Sequence, residues 1–170
     1  MNRALEKLKE ELVAVVPPTL FFFLALHVVG VIRTLMARGS GYDASSTVAI
    51  GVAALILGKA VLIADHLPAI NRFPDHPLIY NVGWKSLIYL LVATAIHFAE
   101  RVVDFALESG SLVVGWEETV AHIVWPHFWA IEILLSLLIL LYSTARELIR
   151  LIGRERVLRI FFGPTPLPKI

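Results

Sequence analysis

Apolar residues fall in four long blocks separated by short polar stretches. They are 18–37, carrying FFFLALHVVGVI; 47–66, with VAIGVAALILGKAVLIAD; 81–103, with WKSLIYLLVATAIHFAERVV; and 120–142, with IVWPHFWAIEILLSLLILLY. Each reaches the about 20 residues that a helix needs to cross a hydrocarbon core. Backbone polar groups in lipid must be satisfied within their own segment, so each block predicts a helix. The pattern predicts an all-α integral membrane protein, with a four-transmembrane-helix antiparallel bundle over 17–143.

Both ends are patterned differently. Leu5, Leu8 and Leu12 share a helical face opposite Glu6, Lys7, Lys9 and Glu10. They predict an amphipathic interfacial helix over 1–16, turned into the membrane at Pro17-Pro18. After the fourth block, Arg146, Arg150 and Arg154 recur every four residues beside Leu148, Ile149, Leu151 and Ile152. A basic amphipathic C-terminal helix over 144–163 follows, lying against the lipid bilayer. Its arginines face anionic headgroups at about 1 kcal/mol each, and ordinary positive-inside anchoring explains the same residues. The proline-rich tail, 164–170, is expected to be extended. A cleaved signal peptide fits the first block poorly, because its leader mixes acids with bases and its apolar run is too long.

Composition sharpens the class. The 170 residues are 58% hydrophobic and 17% charged, without cysteine, and the mean hydropathy is +0.76. Soluble domains average about 45–50% apolar and about 25% charged. These figures exclude a water-soluble fold, a disordered chain, a disulfide-stapled module and thiol chemistry. A net charge of only +1 argues against nucleic acid as a partner.

Lysine and arginine in the loops set the orientation. With both termini cytoplasmic, the inner side holds ten basic residues: Arg3, Lys7, Lys9, Arg72, Arg146, Arg150, Arg154, Arg156, Arg159 and Lys169. The other side holds three, Arg33, Arg38 and Arg101. The expected location is a bacterial cytoplasmic (inner) membrane, crossed four times.

Ionisable groups inside a membrane cost about 2.5–3.5 kcal/mol each on insertion scales, so each needs a reason. One set surrounds the connection between the second and third blocks: Lys59, Asp65, His66, Asn71, Arg72, Asn81 and Lys85. Lys59 and His66 are two helical turns apart, and Lys85 is placed at a depth that Asp65 can reach. A folded, hydrogen-bonded hairpin with Asp65 paired to Lys85 is the structural reading. A site for an anionic headgroup, nucleotide or quinone ring, or an ion path, are the alternatives.

The run KAVLIADHLPAINRFPDHPLIYNVGWKSLIY, from Lys59 to Tyr89, resembles a hairpin segment of uncharacterised bacterial multi-span membrane proteins: a lysine, LIAD, a proline-bearing turn, then PLIYNV-x-WK. The resemblance implies the hairpin and brings no activity with it.

The second set lies toward the opposite side: His27, His97, Glu100, Arg101, His127 and Glu132, with His122 beside Pro126. His27, His97 and His127 fall at similar depth when counted at about 1.5 Å per residue. Hydrogen bonding across helices is the structural reading. Haem b held by two imidazoles, another metal with Glu100 or Glu132, and a proton pathway are the alternatives. No cofactor and no metal is expected as the first choice.

Other chemistry is missing from the pattern. Gly39-Ser40-Gly41 is a lone turn and not a phosphate loop, and no serine sits in an elbow motif. Gly51, Ala54 and Gly58 form a small-residue stripe suited to close helix packing. The expected function is therefore a non-enzymatic bundle that forms a homo-oligomer or joins other membrane subunits. An oligomeric channel or carrier using Lys59, Asp65, His66 and Lys85 is one alternative. A redox module using His27, His97 and His127 is the other.

Overall fold

In the computed structural model the described residues are 2–36, 44–73 and 76–163, without the side chains of 2–12 and 44–46. The expected tail at 164–170 and the turn at Gly39-Ser40-Gly41 lie outside them, as does the apolar face of the first helical turns. Six helices follow one another: α1 (Asn2–Met36), α2 (Ala44–Asp65), α3 (Leu78–Ser109), α4 (Leu112–Ala121), α5 (Trp125–Ile152) and α6 (Arg154–Phe162). No strand occurs among the described residues. Four stretches are long and apolar enough to cross a membrane: Val13–Met36, Thr47–Asp65, Leu78–Ser109 and Trp125–Ile152.

Three boundaries differ from the sequence expectation. The helix does not end before Pro17-Pro18 but runs through both as one 35-residue element. Each proline withholds one backbone N–H, leaving the carbonyls of Val13 and Ala14 without their usual donors. Such losses are tolerated where neighbouring helices pack against the segment, and Pro18 is buried. Second, residues 112–121, at the start of the fourth block and before it, form a separate helix α4, and His122 caps its C-terminus. Pro126 consequently sits in the first turn of α5, where its missing N–H costs nothing. Third, α5 continues past residue 143 to Ile152 and stops at Gly153, whose φ of +88° suits only glycine comfortably. The basic segment is thus divided between the last turns of α5 and the short α6.

Helix α1 packs on α2, α2 on α3, and α3 on both α4 and α5, while α5 touches α1 only lightly. The small-residue stripe is used inside the chain. Ala54 is fully buried, and a Cβ on Gly58 would collide with the Thr19 side chain and approach its backbone nitrogen to 3.2 Å. At Gly115 of α4, a Cβ would meet the Val102 carbonyl oxygen of α3 at 2.7 Å. Glycine lets both pairs of backbones close up.

The core sits toward the α2–α3 connection, called here the hairpin end. Phe22, Ala64, Tyr89, Ile139 and Tyr142 are buried there, and Tyr142 packs its ring 5.4–5.5 Å from those of Phe21 and Phe22.

Candidate functional site

The connection itself folds around Trp84. Its indole Nε1 donates to the Ala69 carbonyl at 2.8 Å, and Phe73 meets its ring edge-on at 5.6 Å. The Arg72 guanidinium lies 5.8 Å from the same ring, a distance at which cation–π attraction acts. Asn71 and Arg72 are exposed, whereas Asn81 is buried at the start of α3. Among its described residues the connection is organised by an aromatic side chain more than by its polar ones.

Just beyond this cap, charged residues from three helices meet. Lys85 of α3 donates to Glu147 of α5 at 2.7 Å, with both side chains buried. Glu147 also takes Arg150 at 2.7 Å, one turn along its own helix. Asp65 of α2 receives Arg146 of α5 at 2.6 Å and the Tyr89 hydroxyl of α3 at 2.5 Å. Arg146 closes the triangle by donating to the Tyr89 oxygen at 2.9 Å.

The anticipated Asp65–Lys85 pair is therefore replaced by two pairs with crossed partners. Lys85 is drawn to a carboxylate that is 2% exposed, and Asp65 to a longer, half-exposed arginine. Glu147 and Tyr89 were not among the sequence candidates. The signal was available: Ile139, Tyr142, Ser143 and Glu147 are all buried at helical spacing, so the inward face of α5 extends past the apolar block. Arg146 and Arg150, assigned by pattern to lipid headgroups, also contact Asp65, Tyr89 and Glu147. Lys59 and His66 stand outside the network. Lys59 is exposed, and the His66 ring bonds the Leu62 carbonyl of its own helix at 2.7 Å.

The second constellation is only partly assembled. His97 and Arg101 of α3, His122, and His127 of α5 line one open cavity of about 190 Å3, with Phe98, Phe128 and other apolar side chains as its walls. Thr94 donates to both carboxylate oxygens of Glu132 at 3.0 and 3.1 Å, which satisfies that acid across α3 and α5. His122 pairs with Glu118 at 3.1 Å, both exposed. His27 is elsewhere. Its ring lies tilted against that of Phe23 with centroids 4.3 Å apart and bonds that residue's carbonyl, on a helix that does not pack against α3. Glu100 is half-buried and does not line the cavity.

Two imidazoles from facing helices are the donor set that haem would use, but a cavity of this size falls below the about 300 Å3 at which small-molecule sites begin. The residues present do not fit a macrocycle. Among the described residues, no group of three or more His, Asp or Glu side chains is gathered closely enough to hold a metal ion.

Compared with known proteins, the chain matches no family model, no curated protein and no solved structure.

Proposed function

We propose that the chain is a four-span protein of the bacterial inner membrane, an antiparallel bundle with both termini and the hairpin end cytoplasmic. It acts as a non-enzymatic subunit that assembles with copies of itself or with other membrane subunits. One observation carries this reading. His97, Arg101 and His127 are exposed on two candidate spans and have no partner among the described residues. Polar groups facing lipid are unfavourable by a few kcal/mol each, so this face calls for a neighbouring chain that supplies acceptors. The channel reading has less support, since Asp65 and Lys85 are each committed to interhelical pairs and neither Lys59 nor His66 joins them.

The test is the size of the complex after gentle solubilisation, set against the 18.9 kDa monomer. The expected result is a discrete larger species that Arg101→Ala with His127→Ala dissociates, leaving a monomer with the melting temperature of the wild type. A wild-type monomer under all gentle conditions would reject the proposal.

A further inference from the structure

The pairing of Arg146 with Asp65 leaves part of its guanidinium unused. Arg146 meets Asp65 and Tyr89 through Nη1, and also the Tyr142 hydroxyl beside it. Arginine carries five N–H donors, more than these contacts use, and the side chain is 44% exposed. That exposed part lines a second cleft, of about 420 Å3, between α1, α2 and α5. The cleft exists because α1 lies closely on α2 but only lightly on α5, leaving one corner of the helix packing open. Pro18, Phe21, Val61 and Ile149 wall it, so apart from Asp65, Arg146 and the Tyr142 hydroxyl the surface is chiefly apolar.

Charge bookkeeping gives the sign of the missing ligand. The network holds two carboxylates, Asp65 and Glu147, against three cations, Lys85, Arg146 and Arg150. Within the cleft Asp65 and Arg146 balance, and the one positive charge in excess is that of Arg150, one turn beyond Arg146 on α5. A planar guanidinium with free donors is matched bidentately by a phosphate. An apolar trough beside it matches a hydrocarbon chain. We propose that this cleft binds one acidic phospholipid, its phosphate on Arg146 and an acyl chain along Phe21, Val61 and Ile149. The inference rests on the membrane reading above, because it places the headgroup at the cytoplasmic leaflet, but it is independent of assembly. The volume lies within the about 300–1,000 Å3 usual for small-ligand sites.

Native mass spectrometry of delipidated protein in detergent tests it, with phosphatidylglycerol and phosphatidylcholine of identical chains as probes and inorganic phosphate as competitor. One phosphatidylglycerol should bind, about tenfold more tightly than phosphatidylcholine, in keeping with one charge-assisted contact. Ala14→Phe with Ala145→Phe fills the cleft without touching an ion pair, and should remove the tight lipid while the melting temperature of the delipidated protein is kept. Arg146→Gln should abolish the preference for the acidic lipid. Should that variant not fold, the cleft-filling pair still decides. Equal affinity for the two lipids would overturn the proposal, as would full binding by the filled variant. Inorganic phosphate that binds as tightly as the lipid would assign the site to a free anion and also overturn it. A monomer that holds the lipid would reject the assembly reading alone, and an oligomer with no lipid preference would reject this one alone.

Discussion

The two ends of the molecule handle polar groups in opposite ways. At the hairpin end, Lys85 and Glu147 are buried yet paired, and Asp65, Tyr89 and Arg146 share a triangle of short contacts. At the other end, His97, Arg101 and His127 surround a cavity and meet nothing among the described residues. The difference teaches where each end does its work. Buried groups that lose water must find one another, which fixes helix register. Exposed groups that keep no partner are available to another molecule.

The sharpest way to break this contrast is to remove the buried acid. Glu147→Leu leaves Lys85 and Arg150 without their carboxylate, and stability in detergent should fall by about 3–5 kcal/mol. His127→Gln at the opposite end should stay within about 0.5 kcal/mol of the wild-type monomer. Equal losses at the two positions would erase the distinction. Next in size is Gly115→Val, which forces α4 away from Val102 and Ala106 and should cost about 1–3 kcal/mol. Protease sensitivity in the 110–124 region should rise with it.

Double-mutant cycles then sharpen the wiring of the network. Lys85 with Glu147, and Asp65 with Arg146, should each couple by about 0.5–3 kcal/mol. The crossed cycle of Asp65 with Lys85 should couple less than either, and a larger value there would restore the simple pair suggested by depth alone. The smallest expected effect is Thr94→Val. It removes one interhelical hydrogen bond to Glu132, and such bonds in membranes average about 0.6 kcal/mol.

Much of the fold was legible because the length of an apolar run is a strong constraint on the chain. All four long helices fall where the blocks lie, and the polar hairpin joins two of them. The ends of the elements were not legible, for reasons that differ by residue. Pro126 reads as a break inside a span when the block is taken as continuous, whereas a second helix, α4, ends just before it. The docking of α4 depends on Gly115 and on Thr119, which is 1% exposed, and neither stands out in composition. Glu147 sits in a run dominated by arginine, so its sign is hidden by its neighbours until helical phase is followed through Ile139 and Ser143. The distal histidines were grouped by depth. Depth ignores azimuth, which is why His27, on a helix that does not pack against α3, does not join His97 and His127.

The Lys85–Glu147 bond also has a consequence in time. Its partners are 62 residues apart, and a ribosome adding about 5–20 residues per second needs roughly 3–12 s to go from one to the other. On the membrane reading, the second and third spans emerge carrying Asp65 and Lys85 before the arginine and glutamate that neutralise them have been synthesised. During that interval Asp65 and Lys85 have only each other and water as partners near the bilayer surface, and the arrival of the last span exchanges those partners for Arg146 and Glu147.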